Sequence, residues 1–209
     1  MFYVYLDMKS FSLLILLGIF ICKDSLSRPF PVRKHVTFVY VVKKYEESYQ
    51  LHIKIDKFKK GELAFHFLKT NPEQSKGTYA ISPSAMDSAM AMTVLFKSGE
   101  KILDHATACM LSKKAFNELK ETKKTKMVLD GPITVDFVLL QPPYQLNYFD
   151  TKNDGNIQIG KKIKTFKLLL LKSTDLKNPI EMAILDNKRC PWFFYVNIGE
   201  KMWLQEIIP

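Results

Sequence analysis

Between residues 35 and 69 the hydrophobic rhythm of the chain is that of extended structure. His35 to Val42 is an almost unbroken β-branched and aromatic run. Tyr49 to Asp56 then alternates with period two, Leu51, Ile53 and Ile55 against Gln50, His52, Lys54 and Asp56. Both patterns predict strands, because successive strand side chains point to opposite faces. Leu63 to Lys69 continues the alternation, as do Thr125 to Leu129 and Ile133 to Leu140. Lys162 to Leu171 starts in alternation and ends continuously apolar, which predicts one strand entering the centre of a sheet covered on both faces. Asn153-Asp154-Gly155-Asn156 carries the Asp-Gly pair of a tight hairpin, predicted to join 144–148 to 157–171. The C-terminal part reads as a meander of Ile180 to Leu185, Trp192 to Val196 and Met202 to Ile207, with corners at Asn187 and Gly199.

Two stretches leave the strand pattern. Ser82 and Pro83 form a cap and first-turn pair, and Met86, Ala89, Met90 and Thr93 then share one helical face, predicting a helix over about 83–94. Ser112 is placed to cap a second helix over about 113–122, with Ala115, Phe116 and Leu119 as its apolar side and Leu111 in the staple position. Lys120, Lys123 and Lys124 lie at its C-terminal end, where they complement the helix dipole. About nine strands and two short helices predict a mainly β protein, an antiparallel sandwich or barrel-like domain. No repeat or Pro/Gly/Ser-rich linker divides it, so residues 28–209 read as one domain. With 47% hydrophobic residues it has the material for a core without disulfides or metals.

The N-terminal segment changes the picture. Met8 to Cys22 is a single lysine, Lys9, followed by an apolar run of about a dozen residues, shorter than the roughly twenty a spanning helix needs. It reads as a signal peptide over residues 1–27, with Met8 as an alternative start. Cleavage after Ser27 satisfies the small-x-small pattern with Ser25. Two other fates stay open: an uncleaved anchor, and lipidation at Cys22, although Ile21 stands where a lipid-attachment site takes a small residue. The setting is then the periplasm, the cell surface or the medium. Cys109 and Cys190 remain in the exported domain as a candidate disulfide, with two buried thiols as the alternative.

Charge excludes one class of partner. The net charge is +10, but of 31 basic residues only Arg28, Arg33 and Arg189 are arginine, so the guanidinium fork of specific nucleic-acid recognition is nearly missing. The lysines are dispersed and read as a solvated surface with weak attraction to anionic headgroups or acidic glycans. Catalytic and metal signatures are likewise missing: no Gly-x-Ser-x-Gly, His-Glu-x-x-His or phosphate-binding glycine loop occurs. His35, His52, His66 and His105 read as surface or satisfied histidines. Asp104-His105 near Cys109 is the single cluster with the residue types of a nucleophile, base and orienter, and its close spacing points the groups apart. The aromatic run Trp192-Phe193-Phe194-Tyr195 with Trp203 reads as core, or as the wall of a pocket over which the Met-rich 86–92 stretch would make a lid.

Gly77-Thr78-Tyr79, the following Ser84-Ala85-Met86-Asp87-Ser88-Ala89-Met90, Thr107 to Phe116, Leu185-Asp186-Asn187, Asn197-Ile198-Gly199 and Leu204-Gln205-Glu206-Ile207 resemble segments of uncharacterised exported, lipoprotein-like proteins common in Bacteroidetes-type bacteria, over about residues 75–207. The chain has Met110 where that family tends to have tryptophan. The resemblance implies a bacterial envelope setting and supplies no catalytic residue, metal site or cofactor. The expectation is a non-enzymatic envelope protein binding an apolar or carbohydrate ligand or an envelope partner. The alternatives are a structural or assembly accessory and a hydrolase with an unrecognised site.

Overall fold

The computed structural model describes Phe30 and residues 32–59, 61–70, 74–140, 156–174 and 177–209. Apart from Phe30 these belong to one compact unit, Pro31–Pro209. The expected signal peptide with Cys22, and the expected hairpin partner at 144–148 with its Asp154-Gly155 turn, lie outside the described residues.

The elements in chain order are β1 (Thr37–Lys44), β2 (Glu47–Lys59), β3 (Glu62–Thr70), β4 (Ser75–Ile81), α1 (Pro83–Ser88), β5 (Ala91–Thr93), β6 (Gly99–Leu103), β7 (Ala106–Ala108), α2 (Lys113–Thr122), β8 (Lys124–Leu129), β9 (Ile133–Leu139), β10 (Asn156–Ile159), β11 (Lys162–Thr165), β12 (Leu168–Ser173), β13 (Glu181–Leu185), β14 (Phe193–Asn197) and β15 (Lys201–Ile208). Among the described residues the protein is mainly β, with two short helices. One sheet runs in the order β6-β4-β3-β2-β1-β15-β14-β13-β12-β9-β8-β5-β7, with β10 and β11 off this path. Only Asp104 and His105 separate β6 from β7, so the two ends of the path come together and the sheet is a nearly closed barrel. Most neighbours are antiparallel. The pairs β4–β6, β5–β7, β5–β8 and β10–β15 are parallel.

Period-two alternation decides which side chains fill the barrel. Phe38, Tyr40 and Val42 of β1, Leu51, Ile53 and Ile55 of β2, and Leu63, Phe65 and Phe67 of β3 are all buried on the inner face. Trp192 is fully buried and stacks on Phe38 with centroids 4.5 Å apart. Its Nε1 donates to the Tyr40 hydroxyl at 2.6 Å, which donates to the Phe193 carbonyl at 2.9 Å. A buried polar chain of this kind is tolerated because each member is satisfied. At Gly77 a Cβ would lie 2.6 Å from Phe67 Cε1 and inside contact with the Gly99 carbonyl, so glycine is what lets Phe67 fill the barrel and β6 approach β4.

The second helix forms as expected: Ser112 Oγ accepts the Ala115 N–H at 3.1 Å, Ala115, Phe116 and Leu119 are buried, and Lys123 closes the helix with φ 63°. The first does not reach residue 94. It ends at Ser88, Ala89 turns extended, and Ala91–Thr93 becomes β5, paired with β7 and β8. Strand pairing on both sides buries Met92 and satisfies its backbone, which outweighs helical periodicity in a segment of one and a half turns. The expected 162–171 strand is also two strands, broken at Phe166-Lys167; the Phe166 ring leaves the ladder to pack on Phe194 at 5.5 Å. The strands buried on both faces are instead β13 and most of β14. Among the described residues six more strands occur than expected: β4 and β6 contain glycine and few apolar residues, and β5, β7 and the pieces of the later runs are too short to show a period.

Candidate functional site

The barrel interior is a packed core. Phe65, Phe67, Tyr79 and Phe96 form one aromatic cluster with centroids 5.2 to 6.0 Å apart. The space left at its mouth is about 20 Å³, room for about one water. The Met-rich stretch is part of this packing rather than a lid, with Met86 and Met92 both buried.

Open concavities instead lie outside: a groove of about 660 Å³ on the outer face of β1, β2, β3, β4 and β6, and one of about 650 Å³ beside Pro179, Tyr195 and Lys201. The alternation that sends Ile53, Phe65 and Tyr79 inward sends their neighbours out. One row, from register, is Thr37, Lys54, His66, Thr78 and Glu100; the next is Val39, His52, Leu68 and Lys76. Adjacent members are one strand spacing apart, about 4.8 Å. Lys54, His66, Lys76 and Glu100 are exposed, and Leu68, 41% exposed, is the apolar centre of the floor.

A bulge adds one more group. Ile55 pairs with Phe65 and Lys57 with Ala64, so Asp56 is an extra residue in β2. Bulges re-aim side chains, and here the Asp56 carboxylate meets His66 Nδ1. The Asp56 Oδ2 atom is buried at this contact. His52 is held separately, its Nε2 3.1 Å from Gln50 Oε1.

Asp56, His66 and Thr78 thus stand in the order of an orienter, a base and a hydroxyl. A reaction would also need donors for developing negative charge. The backbone N–H groups of β3 face ladder partners in β2 and β4, so the sheet itself offers none there. The arrangement is built to hold polar groups against an open face.

The other sequence candidates do not converge. Asp104 and His105 are exposed in the β6–β7 turn, whereas Cys109 is buried beneath Tyr40. Cys109 and Cys190 are both buried, with free thiols that burial pushes well above their ordinary range. His35 is exposed at the start of β1, with φ 73°. Among the described residues no three His, Cys, Asp or Glu side chains come together as a metal site. The pairing of His66 with Asp56 was missed from sequence because it depends on a bulge between residues ten apart. The available signal was that both sit on the polar phase of consecutive strands.

No protein-family model and no curated protein matches the chain. A search of solved structures finds similarity to a crystal structure of MucB in complex with MucA(peri), at 7% identity and a TM-score of 0.33, covering 82% of this chain and 48% of that one. The chain therefore spans about half the length of that protein, and a likeness at this level carries no functional argument.

Proposed function

We propose that this chain is a non-enzymatic exported binding module that takes an acidic segment of an envelope partner polypeptide in the groove over β1, β2, β3, β4 and β6. The observation carrying the reading is that the interior is filled while a groove of about 660 Å³ stays open on the outer face. Among the described residues the barrel interior offers an apolar ligand a slot of about 20 Å³, too small for one. A sugar platform needs an exposed aromatic face, and the one aromatic residue lining the groove, Phe67, is buried. Lys54 and Lys76 offer ammonium donors from two strands, which suits carboxylates spaced along an extended chain. The export signal over residues 1–27 and the resemblance over 75–207 support the envelope setting.

The accessory reading has one observation of its own. Among the described residues β6 pairs with β4 alone, and its Ile102 is 76% exposed, so a partner strand could add to that edge beside the groove.

A fluorescent acidic decapeptide tests the main reading by anisotropy. Thr78→Trp, which fills the groove without changing charge, is expected to weaken binding at least tenfold, about 1.4 kcal/mol. Thr134→Trp, on exposed β9, is expected to leave it unchanged. No saturable binding by the wild type, or equal effects of the two variants, would sink the proposal.

A further inference from the structure

The segment between β5 and β6 is held in an unusual way. Val94 to Ser98 belongs to neither strand, and among the described residues no backbone-to-backbone hydrogen bond anchors it. Side-chain contacts do so instead: Ser98 Oγ lies 2.7 Å from Ser75 Oγ at the end of the segment, and two clamps hold the rest. Asp130 Oδ2 accepts from the Val94 and Leu95 N–H groups at 3.0 and 2.9 Å, and Oδ1 also accepts from Val94 at 3.1 Å. The Tyr79 hydroxyl accepts from the Lys97 N–H at 3.0 Å and donates to the Lys97 carbonyl at 3.1 Å. Between the clamps Phe96 drops into the barrel and is 4% exposed, its centroid 5.2 Å from Phe67 and 5.6 Å from Tyr79.

The rim of the barrel above Phe96 is equally specific. The small slot beside its ring is walled by Val42, Leu51, Val196 and Met202. Lys69 stands at its edge, half-buried, with its ammonium 5.9 Å from the Tyr49 ring centroid. Burial lowers the Lys69 pKa. The nearby carboxylate, Glu200, is committed elsewhere, to Lys44 Nζ at 2.9 Å and the Tyr49 hydroxyl at 3.4 Å. Glu200 also lines the slot and its charge acts on Lys69, but among the described residues no carboxylate lies within ion-pair distance of the Lys69 ammonium.

We propose that Phe96 is a displaceable plug, and that the space it vacates, with Lys69 at the rim, is a binding site for an aliphatic chain bearing an anionic head group. Swinging the 94–98 segment outward breaks side-chain clamps and no sheet ladder, so the barrel survives the opening. The vacated volume joins the existing slot and enters the size class of cavities, about 150 Å³, that take small apolar molecules. An incoming chain replaces the contacts of Phe96 with Phe65, Phe67 and Tyr79, and the head group gives Lys69 a direct ion-pair partner while Glu200 stays bonded to Lys44. This site lies inside the barrel and is independent of the outer-face groove.

The probe is octanoate, titrated by calorimetry and by backbone amide shifts, with 1-octanol as the uncharged control. The wild type is expected to bind octanoate weakly and saturably, with the largest shifts at Leu95, Phe96 and Lys97. A resting protein that keeps its plug in shows an affinity reduced by the open fraction. Phe96→Ala is therefore expected to bind octanoate at least tenfold more tightly, since minor states are commonly populated at about 10% or less. Lys69→Met is expected to abolish the preference for octanoate over 1-octanol. Should Phe96→Ala fail to fold, Asp130→Gly decides: it removes the carboxylate clamp, glycine accepts the φ of 40° without strain, and affinity should again rise. Sedimentation with anionic phospholipid vesicles in about 0.5 M salt separates the two sources of such a chain, with co-sedimentation that Lys69→Met loses assigning a lipid and co-sedimentation equal in both, or lacking in both, assigning a free carboxylate. Saturable binding missing from the wild type, or an octanoate affinity the same in wild type, Lys69→Met and folded plug variants, overturns the proposal.

Discussion

Tyr40 is fully buried with its hydroxyl between the Trp192 indole and the Phe193 carbonyl. Tyr40→Phe keeps the ring and leaves both partners unsatisfied in the core. Stranding a buried polar group costs about 1–3 kcal/mol, so the unfolding free energy from urea melts should fall by that amount, lowering the midpoint with the slope unchanged. Cys109 and Cys190 share this region, and burial raises both thiols above 9.0 and the Tyr40 hydroxyl above 10.0. These groups keep their protons in the folded protein at pH values where the unfolded chain has begun to lose them. Their contribution to stability is therefore complete below about pH 9 and is lost as pH rises, by about 1.4 kcal/mol per pH unit for each group. Urea melts from pH 7 to 10.5 should be flat to about pH 8.5 and then steepen. Replacing both cysteines by alanine should move the onset to about pH 10. A chain in which the two thiols are joined would show that later onset without mutation.

At the scale of elements, the end of α2 and the β4–β6 junction make opposite predictions for small changes. Lys123 adopts φ 63° where glycine is favoured. Lys123→Gly should stabilise the protein by up to about 1 kcal/mol, since a non-glycine residue in that conformation costs roughly this much. Gly77→Ala should do the reverse. Its Cβ would press on Phe67 and the Gly99 carbonyl, a backbone atom that cannot rotate away, so β6 must move off β4 at about 1–3 kcal/mol. Because Gly99 and Glu100 line the groove, this variant should lose peptide binding along with several degrees of Tm, whereas Lys123→Gly should gain Tm and leave binding intact. The two sites also show what sequence could reveal. The long alternating strands β2 and β3 and the capped α2 were legible because local pattern and tertiary role agree. The three-residue β5 and β7 carry too few alternations to signal themselves, the alternation of β4 is interrupted by Gly77, and the parallel pairings that hold β5 are made with separate segments.

For the whole molecule, the charge distribution is where sequence and structure say different things. In the sequence the lysines read as a dispersed solvated surface, and His52, Lys54 and His66 look like ordinary polar phases of strands. Only the register of β2, β3 and β4 gathers them, with Asp56, onto one concave face. A net charge of +10 would attract any acidic peptide, so affinity alone cannot separate the groove from the surface as a whole. Salt and matched charge reversal can. The Debye length shrinks from about 10 Å at 0.1 M salt to 3 Å at 1 M, and binding of the acidic decapeptide should weaken accordingly in the wild type. Lys54→Glu with Lys76→Glu and Lys162→Glu with Lys188→Glu remove the same charge from the molecule, the first pair inside the groove and the second at exposed positions that do not line it. If the local arrangement recognises the peptide, the groove pair should lose at least tenfold in affinity and most of the salt dependence, while the outside pair keeps both. Equal losses would mean that the +10 charge acts as a diffuse field and that the groove has no special claim on acidic partners.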